Sequence, residues 1–377
     1  AVAWWLSGDP QRVLAVLVVA TPCPLLLATP VAIIGGINRA ARRQIVVRNG
    51  TALEQLAQVD AVVFDKTGTL TLGRPVVDGV AAATPGGEAD FLRLAAAIEL
   101  GSGHLLARSV VEAATADGRT LPPAEDVVEA PGQGVSGIVE GHTVAVGALS
   151  FIARRDPAAV AALEGIAFDG SGLRAYVTVD GQAAGVIAFA DRMRSGLPEF
   201  IARLRTLGLT RTVLLSGDHQ ENVIPIAGAL GISEARGDLL PEQKVDAVKA
   251  LEREGRRVLM VGDGTNDAPA LSAATVGVAL AAHGGGISAE AAGIVLLVDD
   301  VTRVEDAVRI GQRTVAIARQ SIIAGLLLSG TAMVIAALGF IPPTVGALLQ
   351  EGIDVAVILN ALRAAAHPRG ASGSPGS

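Results

Sequence analysis

The sequence predicts a doubly wound α/β domain that carries an inserted α+β module and is flanked by transmembrane helices. Three observations lead there. Between residues 192 and 299, short β-branched runs alternate with helical stretches, the pattern of a parallel sheet covered by helices. Residues 73–187 interrupt that pattern with one helical stretch followed by β-like pieces. Both ends of the chain hold uncharged apolar runs long enough to cross a bilayer, for which about 20 residues suffice.

The elements follow in chain order. Residues 1–6 are apolar, lack an initiator methionine and have no basic leading segment, so they resemble the tail of an earlier span rather than a signal peptide. Residues 13–37 carry no charge, and Arg39, Arg42, Arg43 and Arg48 follow them. Residues 61–64 form the first strand of the α/β domain. Within the inserted segment, 89–116 is helical, and 134–146 and 175–187 are β-like. The remaining strands are 212–215, 258–261, 276–280 and 294–298. Helices fit at 196–207, 220–230 and 241–254, the last opening with proline in its first turn. A second uncharged run, 321–340, is preceded by Arg309, Arg313 and Arg319. A third, 343–362, is broken by Glu351 and Asp354 and followed by Arg363 and Arg369. The positive-inside rule places all three arginine clusters in the cytoplasm. Residues 38–319 then form one cytosolic insertion, and the last two spans a hairpin turning at Ile341-Pro342-Pro343. The division expected is 1–43 in the membrane, 44–72 with 188–304 as the α/β domain, 73–187 as the inserted module, 305–367 as a membrane helix pair, and 368–377 as a disordered tail.

Composition narrows the function. Half of the 377 residues are hydrophobic and 18% are charged, with a mean hydropathy of +0.49, which excludes a disordered chain. Only 3% are aromatic and the net charge is −7, which argues against a nucleic-acid partner. One cysteine, Cys23, excludes an internal disulfide and fits a reducing compartment. Lys66, Lys244 and Lys249 are the only lysines.

Four segments carry chemistry. Asp65-Lys66-Thr67-Gly68-Thr69-Leu70-Thr71 follows the first strand, Ser216-Gly217-Asp218 follows 212–215, and Gly262-Asp263-Gly264-Thr265-Asn266-Asp267 follows 258–261. Lys244 lies in the first turn of the helix after Pro241. Ligands bind beyond the carboxyl ends of strands in open α/β sheets, so these loops can converge. Asp65 is a candidate nucleophile for an aspartyl-phosphate. Asp263 and Asp267 suit magnesium, a hard cation that takes oxygen ligands. Ser216 and Lys244 can neutralise the equatorial oxygens of a transferring phosphoryl group.

DKTGTLT at 65–71 together with GDGTND at 262–267 is similar to the phosphorylation and hinge signatures of P-type ATPases, members of the haloacid-dehalogenase-like superfamily. The resemblance covers nearly the whole chain. It implies a Rossmann-like haloacid-dehalogenase-like phosphorylation domain in which ATP phosphorylates Asp65, with magnesium held by Asp65, the Thr67 carbonyl, Asp263 and Asp267. Lys66, Thr67, Ser216, Gly217, Asp218, Lys244 and Asn266 complete the implied catalytic set. The family usually has threonine where Ser216 stands, and the hydroxyl is kept.

The inserted module contains Gly132-Gln133-Gly134-Val135-Ser136-Gly137, which has the spacing of a dinucleotide loop but runs into β-like sequence rather than a helix. Glu99, His104, Gly132 and Gly134 resemble the ATP-binding positions of the heavy-metal P-type ATPases. Two departures stand out: Leu105 follows His104 where the family has proline, and Ala148 follows Gly147 where asparagine is usual. These imply weakened or altered nucleotide binding.

Thr21-Pro22-Cys23-Pro24 lies inside the first apolar run. The prolines free backbone carbonyls at membrane depth, and the thiol is a soft metal ligand. The motif resembles the metal site of heavy-metal pumps, of the Thr-Pro-Cys type within class IB. In the third run, Gln350-Glu351-Gly352-Ile353-Asp354 and Asn360 add polar groups; Glu351 and Asp354, three apart, are expected on one helix face. One thiol with carboxylates and a hydroxyl favours a divalent ion, such as nickel, cobalt, iron or zinc, over copper(I). The implied protein is an integral multi-pass exporter in the plasma membrane with cytoplasmic catalytic domains, and a metal chaperone is a candidate partner. A membrane-anchored phosphatase of the same superfamily and a potassium pump are the alternatives. Such phosphatases carry aspartate where Thr67 stands, and Cys23 disfavours potassium. The sequence contains no Thr-Gly-Glu loop, which the family keeps in a separate actuator domain, so the resemblance implies the C-terminal part of a pump.

Overall fold

The computed structural model describes residues 8–366 apart from 22, 85–86, 168–172, 265–266 and 281–289; the side chains at 23–25 and 105 are also outside the description. The expected disordered tail and the opening apolar residues fall outside the described residues. The chain forms two compact units, Ala1–Leu70 with Ser195–Ser377, and Thr71–Arg194.

The first unit is built on a seven-stranded sheet in the order Ile45–Val47, Ile294–Leu296, Val276–Leu280, Val258–Gly262, Ala61–Asp65, Arg211–Leu215, Glu234–Arg236. All pairings are parallel except the one made by Ile45–Val47, which is antiparallel to Ile294–Leu296. The central strands are buried along their whole length, as expected where helices cover both faces. Phe64 meets Phe200 of the helix Leu197–Thr206 edge to face, with ring centroids 6.0 Å apart. The helices Gln220–Leu230 and Pro241–Arg253 lie close to their predicted limits. Pro241 opens its helix, and Gln243 Oε1 accepts the Leu240 N–H at 2.8 Å, so the first turn, which holds Lys244, is tied down from both ends.

The apolar ends form helices in the same unit. The run expected as one span is two helices, Pro10–Val19 and Cys23–Ala41. Prolines 22 and 24 supply no amide hydrogen, so the ladder of the first helix cannot continue through them. Two described helices are long and apolar enough to cross a membrane. Arg303–Ala337 has 35 residues, about 52 Å by helical rise, and Pro343–Ala361 continues as a short 3₁₀ turn, Leu362–Ala364. Only 28% and 33% of their hydrophobic windows are buried within the protein, unlike the core helix of a soluble domain. Small residues face inward (Gly325, Ser329, Ala332, Ala336), whereas Leu326, Leu327, Leu328, Val334 and Leu348 are exposed. That inversion of the usual soluble pattern suits a lipid surround. Near its start the long helix is fastened to the α/β domain. Glu305 pairs with Arg203 at 2.6 Å, Asp306 with Arg43 at 2.5 Å, and Gln312 donates to the Leu207 carbonyl at 2.7 Å.

The second unit is a six-stranded antiparallel sheet in the order Thr71–Ala82, Gln182–Met193, Leu173–Val179, His142–Gly147, Gly134–Val139, Ala124–Ala130. The helical stretch expected at 89–116 is two helices, Glu88–Glu99 and Leu105–Ala114, separated where Gly101 and Gly103 weaken the helix and His104 caps the next one. The strands Thr71–Ala82 and Ala124–Ala130 have no counterpart in the sequence pattern. The first contains Gly73, Pro75 and Gly79 and is bulged, and the second is an exposed edge with Glu125, Asp126 and Glu129. Thr71 pairs with Met193, so the compact unit extends beyond the 73–187 read from sequence.

Candidate functional site

The catalytic candidates of the first unit meet at the carboxyl edge of its sheet. Asp65 ends its strand in register with Leu215, which puts Ser216 beside it on one side. Phe64 pairs with Val261, which puts Gly262 and Asp263 on the other. Lys244 reaches in from its helix. Its Nζ donates to Asp65 Oδ1 at 2.5 Å and to Asp267 Oδ1 at 2.8 Å, and all three side chains are buried. Lys66 forms an ion pair with Asp218, joining the first loop to the second, and the Asp218 N–H donates to Ser216 Oγ at 3.1 Å. Gly68, at φ +70°, brings the first loop over Asp263: a β-carbon there would stand 2.5 Å from Asp263 Oδ2. Thr67 precedes it in extended backbone. Asn266 lies outside the described residues.

Charge is concentrated at this edge. Burial, then the nearby charge of Asp267, pushes the Asp65 carboxyl up to about 7, against the opposing pull of Lys244; Asp263 adds to the rise. Burial alone would lower the Lys244 ammonium, but Asp65 and Asp267 together outweigh it and hold the group protonated. Three carboxylates against one ammonium leave an excess of negative charge that a divalent cation would relieve. Among the described residues no three His, Cys, Asp or Glu side chains form a closed metal cage. Magnesium does not need one, because it binds one or two carboxylates and keeps water and substrate phosphates as its other ligands.

The second unit holds a cavity of about 190 Å³ whose lining includes Glu99, Ser102, His104, Glu129, Gly132, Gly134 and Arg174. All four nucleotide candidates read from sequence therefore border one space. His104 caps the helix Leu105–Ala114, its Nδ1 accepting the Leu106 N–H at 3.2 Å. Burial raises the Glu99 carboxyl to about 7, against hydrogen bonding with Ser102 and with a contribution from Glu129. The one Ser102 hydroxyl proton goes to Glu129 Oε1 at 2.9 Å. Gly132 adopts φ +70°, while Gly134 is required by packing: a β-carbon there would meet Phe151 at 2.4 Å and the Val146 carbonyl at 2.6 Å. Sequence reasoning missed Ser102, three residues beyond Glu99 in the chain, and Glu129 and Arg174, which only the folding of the sheet brings to the border of this cavity.

Between the first two apolar helices Thr21 is exposed, and the Cys23 side chain lies outside the description. The helix beginning at Cys23 crosses the one bearing Asp354, since Ala28 packs with Ile353 and Val357. Asp354 is buried, but Glu351 is exposed, which corrects the expectation that the two share a face. The inner face follows the four-residue step from Gln350 to Asp354, and Glu351, one position on, turns outward. A buried chain results: Ser329 Oγ donates to Gln350 Oε1, and Gln350 Nε2 to Asp354 Oδ1, each at 3.0 Å. Asn360 donates to Ser321 at 2.8 Å.

Residues 59–275 match the family described as haloacid dehalogenase-like hydrolase. The manganese-exporting P-type ATPase of Mycobacterium tuberculosis is 36% identical over 368 residues, 96% of this chain and 51% of that protein. The silver exporting P-type ATPase of Salmonella typhimurium is 37% identical over 93% of this chain and 43% of its own length. A crystal structure of a zinc-transporting PIB-type ATPase superposes with a TM-score of 0.76 at 36% identity, covering 90% of this chain and 55% of that one. The chain thus spans about half the length of the curated relatives it matches.

Proposed function

The chain belongs to the haloacid dehalogenase-like hydrolases, and among them to the heavy-metal P-type ATPases, and from that premise we propose that it serves ATP-driven export of a transition-metal cation through an aspartyl-phosphate at Asp65. The observation that carries this reading is the buried Lys244 ammonium bridging Asp65 and Asp267 at the sheet edge. In the proposed step an Asp65 oxygen bonds to the γ-phosphorus of ATP as the bond from that phosphorus to the bridging oxygen breaks. ADP leaves, and the phosphoryl group stays as an acyl phosphate. No proton moves, because the nucleophile attacks as the carboxylate. Lys244 and the Ser216 hydroxyl neutralise the phosphoryl oxygens, and the Lys66–Asp218 pair, with Gly217 between, holds the second loop against the first. Magnesium, when bound, would be held by Asp65, the Thr67 carbonyl, Asp263 and Asp267 and would supply further neutralisation of the phosphates.

Thr67 stands where a phosphatase would present a carboxylate base, and its hydroxyl is too weak a base to activate water. The aspartyl-phosphate is therefore long-lived, as coupling to a transport step demands. ATP is assigned to the cavity bordered by Glu99, His104, Gly132 and Gly134. The cargo site comprises Thr21, Cys23 and Asp354, with Glu351 outside its inner face. One thiol among oxygen ligands favours a divalent ion such as nickel, cobalt, iron or zinc. The relatives do not share one metal, being named for manganese and silver among others. The arginines flanking the apolar helices support a plasma-membrane protein with its catalytic units in the cytoplasm, where a metal chaperone would deliver the ion.

The test is phosphoenzyme formation from ATP labelled at the γ-phosphate. An acid-stable label that disappears in Asp65→Asn, and ATPase activity of the full-length pump stimulated by one of these divalent ions, are expected. Rapid hydrolysis of small phosphate esters without ATP would indicate a phosphatase instead, and stimulation by copper(I) alone would overturn the metal assignment.

A further inference from the structure

We propose that Arg39 and Arg313 form a binding site for the phosphate of an anionic lipid headgroup at the cytosolic edge of the apolar helices, a proposal that rests on reading those helices as membrane spans. Arg39 stands two residues beyond the uncharged run 13–37, and its Nη1 donates at 3.0 Å to the carbonyl of Ala366, four residues beyond the run 343–362. Two residues of helix rise about 3 Å, which brings the guanidinium into a headgroup layer about 5–8 Å deep on each side of the hydrocarbon. Arg313 comes from the helix Arg303–Ala337. Its neighbour Thr314 packs so closely on Gly36, one turn before Arg39, that a β-carbon on Gly36 has no room. Toward the hydrocarbon side Ala32, Ile317, Ala318, Ala361 and Ala364 pack together, so the two arginines border an apolar junction of the same segments.

Positive charge gathers here without enough negative charge to meet it. The charges acting on Arg39 are those of Arg313, Arg43 and Asp306. Asp306 is already shared by Arg43, at 2.5 Å, and Arg303, at 3.3 Å. Arg313 forms no ion pair or hydrogen bond with any described residue, and the Nε atoms of both Arg39 and Arg313 are buried without a partner. Water has little access to Arg39, which is 9% exposed, and a buried charge is costly unless it is paired. The missing component is an anion. Phosphate suits the place, because its oxygens accept several hydrogen bonds at once and each planar guanidinium offers its donors as a fork. Arg313 is half-buried, so the pair can be reached from the surround, and basic pockets between membrane helices on the cytosolic side bind anionic headgroups. A lipid is favoured over a soluble phosphate by the depth of the pair and by Ile34 and Ile323, exposed on the same two helices, where acyl chains can lie. Once bound, the headgroup ties the helix Cys23–Ala41 to the helix Arg303–Ala337.

Native mass spectrometry of the full chain, released from detergent with equal amounts of phosphatidylglycerol and phosphatidylcholine, tests this together with thermal unfolding in nanodiscs of either lipid. One phosphatidylglycerol should be retained in preference to phosphatidylcholine. Arg313→Gln should lower that retention about tenfold and leave phosphatidylcholine unchanged, and Arg313→Lys should recover part of the loss. Arg319→Gln, at an exposed arginine on the same helix, should change neither. Phosphatidylglycerol should raise the unfolding temperature of the wild type but not of Arg313→Gln. In phosphatidylcholine that variant should be no less stable than the wild type, since it removes a charge with no partner. Destabilisation of Arg313→Gln to the same extent in both lipids would make Arg313 a packing residue and overturn the assignment, as would an equal loss of retention in Arg319→Gln. Displacement of the lipid by millimolar inorganic phosphate would point to a soluble anion and overturn the lipid source. A wild-type chain that cannot be incorporated into nanodiscs would instead sink the membrane reading on which the proposal rests.

Discussion

Removing the Lys244 ammonium, as in Lys244→Met, is the perturbation with the most to say about the phosphorylation site. Nζ contacts Asp65 at 2.5 Å and Asp267 at 2.8 Å, and the two carboxylates are 4% and 2% exposed, so water cannot take its place. Breaking a buried pair by deleting one partner costs about 3–5 kcal/mol, because the remaining charge is uncompensated. Here two carboxylates are left facing each other. Lys244 opposes the rise of the Asp65 carboxyl, which already stands near 7, so its removal pushes that group higher. The nucleophile must be ionised to attack. At pH 7 a smaller fraction is then reactive, and residual activity should climb between about pH 7 and 9. If most of the loss falls on the transition state, phosphorylation slows by about 10²–10³-fold. Rapid-quench measurement of the acid-stable phosphoenzyme across that pH range is the assay, with thermal unfolding followed by circular dichroism as the check on folding. Lys244→Arg should fail as well, since a planar fork cannot occupy the place of a compact charge in so closed a site. A Lys244→Met protein that is labelled at the wild-type rate with the wild-type pH profile would refute the reasoning.

Two further outcomes are expected. Gly68→Ala forces a β-carbon to within 2.5 Å of Asp263 Oδ2 at a φ of +70°, and should abolish labelling of Asp65 while adenosine binding stays intact; normal labelling would show that the loop can move aside. Glu99 has its carboxyl raised to about 7, mainly by burial, so the folded state holds a proton that the unfolded chain gives up near 4.5. Stability therefore falls as pH rises from about 4.5 to 7, and Glu99→Gln removes that loss: the second unit should be more stable than wild type at pH 8, by at most about 3 kcal/mol, and equal to it at about pH 4. Thermal unfolding at the two pH values decides, and an equal effect at both would point to packing rather than ionisation.

Much of the α/β unit is legible in the sequence because its strands are short, apolar and punctuated. The strand 276–280 coincides with Val276–Leu280, and the helix 220–230 with Gln220–Leu230. The inserted module is less legible. Ala124–Ala130 carries three acidic residues because it is a solvated edge, so neither alternation nor β-branching announces it. One helical stretch proves to be two because Gly101 and Gly103 create the break whose far side His104 caps. In the last apolar helix the three-residue spacing of Glu351 and Asp354 suggests a shared face, but two positions about 60° apart can straddle the boundary between a packed interior and its surround. The four-residue spacing of Gln350 and Asp354 is equally visible and is the one the bundle uses.

The sequence alone determined which groups are present and which strand each follows: a nucleophilic carboxylate, a lysine in the first turn of a proline-led helix, and paired aspartates in a glycine-rich loop. It also determined that the apolar excess gathers at the ends of the chain. Only the tertiary structure decided that Lys244 bridges Asp65 to Asp267, residues 179 and 23 positions away from it in the chain. It likewise decided that Arg174 shares a cavity with Glu99, and that Asp354 turns inward while Glu351 does not. The reason is physical. Local periodicity and turn chemistry are written in neighbouring residues, whereas strand order, sheet register and the inner face of a helix are settled by which distant surfaces exclude water or lipid from each other.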